Sequence, residues 1–491
     1  MTVASLNMVR INRRLRESLQ LQLYRQIRQA IVSGRLSTGV RLPSTRDLVS
    51  LLGLSRNTII YAFDRLVSEG YLEGRRGSGI YVSALPLSSV GATGSRLTSQ
   101  AVRKNVVSSR LAKLSQVNVS PEYPGAKVRP FRPCQPAIDL FPLRNWNRAR
   151  SSALRINAKE LMWEGDVAGL PRLRRALANY LQDSRGVRCE AEQIVITAGT
   201  QEALSLIAAL LIEPNDEVWL EDPGYLGARA AFSRTEGKLV PVAVDGEGIT
   251  IPSKRRPPKL IYTTPSRQFP RGVTMSLSRR LALLEFIRTG NGWIVEDDYD
   301  SEFRYLDRPM PSLQGLDQGE SVIYVGSFSK VLFASLRLGY IVAPTNLVDL
   351  FRKLKEVGSG PVPAIDQATA ALFIEQGLFA THIRRMRRLY RERRDAFLHE
   401  ANKYFLGLID FPTIDAGMDV MGYLSHNVSD VELSRRFRSV GIDAPPLSSY
   451  SLRTCEPGLL FGFTSFTPAQ TRMAMQVAAK SIGSMLRSRS L

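Results

Sequence analysis

A lysine placed after an apolar strand and a turn of small residues can capture an aldehyde, provided its neutral amine is accessible. Lys330 has that setting: residues 322–325 are strand-like, and Gly326-Ser327-Phe328-Ser329 leads directly into it. Arg337 follows in Ser335-Leu336-Arg337-Leu338-Gly339-Tyr340. The Ser327 and Ser329 hydroxyls, a helix N-terminus and the Arg337 guanidinium have the chemistry of a phosphate cup. Gly199 and Thr200, just after the apolar run 193–197, are where a strand feeds such an N-terminus. Asp297 is a candidate to keep a pyridine nitrogen protonated. Tyr299 could donate to a phenolic oxygen, and Tyr225 offers a face on which a ring could stack. Together these residues describe a site for pyridoxal phosphate.

A second set of side chains carries different chemistry. Ser55, Arg56, Asn57 and Thr58 open a predicted helix over residues 56–69. Arginine pairs bidentately with guanine and asparagine with adenine in the DNA major groove. Arg46, near the start of the preceding helix, is placed to grip phosphate. Arg75, Arg76, Gly77 and Gly79 belong to a basic turn that could follow the backbone or enter the minor groove.

The elements that must position both sets can be read from spacing. Residues 21–32 carry apolar side chains at helical intervals. Ser44 is an N-cap for a helix to Leu52, with Asp47 as its capping-box partner, and Gly53 ends it. Ser55 caps the next helix, which stops at Gly70. Leu48, Leu51, Leu52, Ile59, Phe63 and Leu66 are expected in the core. Residues 71–73 and 80–82 read as strands flanking the basic turn, which completes a winged helix-turn-helix over residues 12–82. Residues 83–134 form a basic, Ser- and Pro-rich linker. Residues 135–491 alternate apolar runs with amphipathic stretches, as an α/β domain with a mainly parallel sheet does. Functional residues at strand ends are expected in such a domain.

Composition narrows the function classes. The chain has 491 residues, 44% of them hydrophobic, which excludes a mainly disordered protein. The net charge is +21, of which residues 1–83 carry +8 and residues 84–134 carry +7. A basic head on a near-neutral body points to nucleic acid as partner of the head. No apolar run reaches the length of a membrane span, and no secretory leader is read, so the expected location is cytoplasmic. Cys134, Cys189 and Cys455 are too scattered for a disulfide framework or a metal site, and no metal is expected.

The string LPSTRDLVSLLGLSRNTIIYAFDRLVSEGYLEGRRGSGIYV resembles the DNA-binding domain of the GntR family of bacterial regulators. The strings VITAGTQEAL, EDPGY, VEDDYDSEFRY and GSFSKVLFASLRLGY resemble fold type I aminotransferases. Jointly they resemble the MocR-type subfamily of GntR regulators. The resemblance implies a Schiff base on Lys330, Asp297 on the pyridine nitrogen, Tyr299 on the phenolic oxygen and Tyr225 stacked on the ring. It assigns phosphate to Ser327, Ser329, Arg337, Gly199 and Thr200. It further implies a head-to-tail homodimer on double-stranded operator DNA in a bacterial cytoplasm, nucleoid-associated when bound.

Two departures stand out. The family commonly has His where this chain has Arg267. The arginine that clamps a substrate carboxylate in aminotransferases is replaced by Leu460, and Arg267, Arg229 and Arg453 are the candidate effector-site cations. The leading reading is a transcriptional regulator answering to a small amine, an amino acid or pyridoxal phosphate itself. The alternative is a true aminotransferase with an accessory DNA-binding domain.

Overall fold

The computed structural model describes residues 9–84 and 128–487, apart from residues 14, 16, 76, 77, 306–309, 318–320 and 426–427. The chain divides into two compact units, one within residues 1–106 and one within 107–491. Of the expected linker, 83–134, only 83–84 and 128–134 are described, and the latter stretch packs into the second unit with Phe131 in its core; Arg76 and Gly77 of the basic turn lie outside the described residues.

The first unit contains three helices, α1 (Leu19–Val32), α2 (Thr45–Leu52) and α3 (Arg56–Ser68). Each begins where a serine satisfies an orphan backbone N–H. Ser44 and Asp47 form a reciprocal capping box, and the Ser55 oxygen accepts from the Thr58 N–H at 3.2 Å. Gly53 ends α2 in the left-handed region at φ +61°, where glycine is favoured. Strands β1 (Leu72–Arg75) and β2 (Gly79–Val82) pair antiparallel, with Leu72 opposite Val82 and Arg75 opposite Gly79. Leu23, Ile27, Leu48, Ile59, Phe63 and Leu66 meet in one core. Each such side chain contributes roughly 1.5–3 kcal/mol by burial. Leu51 is the exception to the expected core and is 52% exposed. The short α2 fully buries only Leu48, and the arc it turns inward does not take in Leu51, roughly 60° around the helix.

The second unit is built on an eight-stranded sheet. Its strands are β3 (Ile194–Thr197), β4 (Glu217–Asp222), β5 (Lys238–Asp245), β6 (Gly248–Ile249), β7 (Leu260–Thr263), β8 (Trp293–Asp298), β9 (Val322–Ser327) and β10 (Gly339–Val342). Their order is β3-β10-β9-β8-β7-β4-β5-β6. From β9 to β5 neighbours run parallel, whereas β10 is antiparallel to both β3 and β9. Both faces are covered, so the strands read as apolar runs rather than alternating ones. Ile194, Ile196 and Tyr324 share one core with Leu173, Leu177 and Leu181 of helix Pro171–Arg185. Val195, Val295 and Ile323 share another with Leu204 and Ile207 of helix Thr200–Leu211. A second, antiparallel sheet comprises β11 (Ile409–Asp410), β12 (Asp419–Leu424) and β13 (Gly458–Gly462).

Several strands run further than their apolar runs predict. β8 extends through Glu296, Asp297 and Asp298 because the ladder continues: Asp297 lies opposite Val325 and Asp298 opposite Gly326. Helix Thr200–Leu211 starts just after β3, with Gly199 as its N-cap. Among the described residues no helix is long and apolar enough to cross a membrane, and no group of His, Cys, Asp or Glu is arranged to hold a metal.

Candidate functional site

Parallel strands deliver their C-terminal ends to one edge of the sheet, and a cavity of about 270 Å³ opens there. Gly199, Thr200, Tyr225, Asp297, Tyr299, Ser327, Ser329, Lys330 and Arg337 all line it. The nine residues named from local chemistry and from the family resemblance are thus brought to one place by the fold. The same wall includes Cys134, Tyr262, Thr264 and Phe269, which the sequence reading did not single out.

The phosphate end is assembled from backbone geometry. Gly199 precedes helix Thr200–Leu211 at φ +95°, and the first N–H groups of that helix have no partner within it. Gly339 must also lack a side chain, since a Cβ there would lie 2.9 Å from the Gly199 Cα. The Ser329 N–H donates to the Ser327 oxygen at 3.1 Å, which tightens the turn before Lys330. Arg337 sits at φ +51°, a costly conformation for an arginine, at the turn into β10.

The ring end is built around a buried carboxyl. The Tyr262 hydroxyl donates to Asp297 Oδ2 at 2.7 Å, while Asp297 Oδ1 is buried with no hydrogen-bond partner. Burial pushes the Asp297 carboxyl up to about 7, against the Tyr262 hydrogen bond, and the nearby Asp298 and Glu221 add to the rise. An unpartnered buried oxygen of this kind fits a cationic N–H donor. The pleat separates Asp297 from its neighbours. Asp298 turns to the other face, where Arg185 Nε lies at 2.8 Å and the Tyr324 hydroxyl at 2.6 Å. Glu296 accepts from the Leu313 and Gln314 N–H groups at 3.0 and 2.9 Å.

Lys330 Nζ donates to the Cys134 carbonyl at 3.3 Å. Tyr225 is the N-cap of helix Leu226–Phe232, and its ring lies where a Gly227 Cβ would come within 2.4 Å of it. Burial raises the Tyr225 and Tyr299 phenols above their ordinary range, so both are protonated at neutral pH. Phe269 of the cavity wall packs behind into an apolar cluster with Leu226, Met421, Leu447, Tyr450 and Leu460.

The three candidate effector-site arginines do not line this cavity. Arg267 stands behind Tyr299, 3% exposed and ion-paired with Asp300 and Asp419. Arg229 lies beside a small void with Asp222 and Tyr450, and Arg453 is exposed. Lys330 and Arg337 are the two cations in the cavity lining among the described residues. Tyr262 had a faint signal, a tyrosine in an aliphatic strand. Cys134 had none, because its contact with Lys330 spans 196 positions.

In the first unit, Arg46, Ser55, Arg56 and Asn57 are exposed. Thr58 is not: it is 9% exposed and its hydroxyl lies 2.8 Å from that of Ser55, so it serves the cap rather than the outer face. Arg75 is exposed, yet its Nη2 is 2.6 Å from Glu73 and its guanidinium lies over the Tyr81 ring. Gly79, at φ +111°, leaves room for Arg41, whose Nε would lie 2.9 Å from a Cβ.

Residues 19–82 match the gntR family of bacterial regulatory proteins, and residues 140–476 match aminotransferase class I and II. The chain is 39% identical to the probable rhizopine catabolism regulatory protein MocR of Rhizobium meliloti, covering 92% of this chain and 91% of that protein. It is 29% identical to the pyridoxine biosynthesis transcriptional regulator PdxR of Corynebacterium glutamicum, over 91% of this chain and 92% of the relative. Among solved structures it resembles LysN, an α-aminoadipate aminotransferase of Thermus thermophilus complexed with N-(5'-phosphopyridoxyl)-L-leucine. That match has a TM-score of 0.68 and 25% identity, covering 77% of this chain and 95% of the other.

Proposed function

The chain belongs to the MocR-type branch of the GntR bacterial regulatory proteins, with an aminotransferase-like body, and on that footing we propose a DNA-binding regulator whose body holds pyridoxal phosphate as its sensing group. The observation that carries the reading is the buried, unpartnered Asp297 Oδ1 in the same cavity as Lys330. A carboxylate so placed suits a protonated pyridine nitrogen. When bound, the cofactor supplies an aldehyde that a primary amine can capture.

This chain's residues then do the following. Lys330 offers the amine, and Asp297 holds the proton on the ring nitrogen. Tyr225 supplies the stacking face and Tyr299 a hydroxyl. Gly199, Thr200, Ser327, Ser329 and Arg337 take the phosphate. Among the described residues no cation besides Lys330 and Arg337 lines the cavity to clamp a substrate carboxylate, which supports sensing over turnover. In the head, Arg56 and Asn57 read bases, while Arg46 and Arg75 lie on phosphate. The protein acts as a homodimer on double-stranded DNA in the bacterial cytoplasm. A small amine, an amino acid or pyridoxal phosphate itself shifts the population of two conformations.

The test is footprinting of the cofactor-loaded protein on the DNA around its own gene, beside an assay of amino acid with keto acid. Salt-sensitive, sequence-specific protection without steady turnover is expected. Sustained transamination with no specific protection would overturn the reading.

A further inference from the structure

Arg267 reaches the cavity only through another side chain. Its Nη1 donates to the Tyr299 oxygen at 3.0 Å and to Asp300 Oδ2 at 3.2 Å, and its Nη2 lies 2.8 Å from Asp419 Oδ1. Gly417 makes the space: at φ +90°, a Cβ there would sit 2.1 Å from Arg267 Nε. The Cys134 thiol donates to the second Asp419 oxygen at 3.2 Å. The charged and titratable groups packed behind Tyr299 are Arg267, Asp300, Asp419 and Cys134, and Asp297, Lys330 and Tyr225 share the cavity with it.

A phenol oxygen that accepts from a fixed guanidinium still has its own proton to give. A cation on that oxygen also makes the phenol a stronger donor. We propose that Arg267 is a positioning residue, which holds Tyr299 as a hydrogen-bond donor toward the phenolic oxygen of bound pyridoxal phosphate. Arg267 itself touches neither cofactor nor effector. This rests on the reading of the cavity as a pyridoxal phosphate site.

The test is a pH titration of the visible absorption band of the full-length, cofactor-loaded protein. That band reports the proton on the nitrogen joining the cofactor to lysine. The phenolic oxygen helps hold this proton through a hydrogen bond within the cofactor. A competing donor on the oxygen weakens that hold and lowers the midpoint. Tyr299→Phe is expected to raise the midpoint by about one pH unit. Arg267→Met should raise it by less, and should add nothing in the Tyr299→Phe background. Arg267→Lys keeps a charge beside Asp300 and Asp419 but loses the fork, so it should give a smaller rise, again only when Tyr299 is present. It carries the test if the methionine variant does not fold. Equal shifts with and without the Tyr299 hydroxyl, or no shift from either Arg267 variant, overturn the proposal. A wild-type protein with no visible band on loading would instead sink the cofactor reading on which it stands.

Discussion

Replacing Asp297 by asparagine should stabilise the cofactor-free protein while weakening its hold on the cofactor. The carboxyl is 3% exposed, and burial lifts it from 3.8 to about 7. That rise of about three units corresponds to roughly 4 kcal/mol of cost for carrying the buried charge. Between about pH 4 and 7 the unfolded chain has lost this proton and the folded chain retains it. Stability from this group therefore falls as pH rises through that window and levels off above it. Asparagine removes the cost and can still accept from the Tyr262 hydroxyl. With an unfolding entropy of roughly 0.8 kcal/mol/K for a unit of this size, the cofactor-free variant should melt about 5 °C higher at pH 8. The gain should shrink below pH 7 and vanish toward pH 4. Cofactor affinity should move the other way, by about 10- to 100-fold, for a lost charge-assisted hydrogen bond to the ring nitrogen. Thermal melts without cofactor and an absorbance titration with it measure the two arms. A cofactor-free Asp297→Asn protein that melts below wild type at pH 8, or one that keeps wild-type affinity, would refute the reasoning.

Borohydride reduction should fix the cofactor on Lys330, and peptide mapping that finds the label on another lysine removes the assignment. Lys330→Ala should still bind DNA but lose its transcriptional response; an unchanged response with unchanged cofactor affinity would leave the body a scaffold. Arg56→Ala should cost roughly 1–3 kcal/mol and relax operator specificity, whereas Arg75→Ala should weaken all sequences alike. Because Glu73 already neutralises part of Arg75, the salt slope should drop by less than about one, and a drop larger than one contradicts that pairing. Arg132→Ala strands Asp443, its partner at 2.6 Å in the core of the body, and should cost about 3–5 kcal/mol in denaturant melts. Replacing both by apolar residues should cost less.

What the sequence disclosed and what it withheld divide along physical lines. The cavity residues were legible because polar functional groups close apolar strands, and that contrast survives in one dimension. Ser44, Ser55 and Gly53 were legible because caps are local. The antiparallel insertion of β10 between β3 and β9 was not, since four apolar residues carry no direction. Nor was the fate of Arg267: its counter-charge at Asp419 lies 152 positions away, so an inward-paired arginine and a cavity-lining one look alike. Arg229 and Arg453 miss the cavity differently, the first beside a separate small void and the second at the exposed surface, and neither placement is written in local spacing. Thr58 was misplaced because the residue that opens a helix for bases and the one that closes its cap are three positions apart or fewer.

The acidic run of β8 has a consequence for how such a body can change over generations. Glu296, Asp297 and Asp298 are chemically near-equivalent, and only the alternation of the strand assigns one to the cavity and two to the far face. Single substitutions can therefore be sampled one carboxylate at a time without moving the others to a new face. An inserted or deleted residue cannot. It would hand the cavity a neighbour of Asp297 and strand the Asp298 partners Arg185 and Tyr324 on the opposite face. The strand itself, with Tyr299 and Asp300 directly after it, is thus frozen in count.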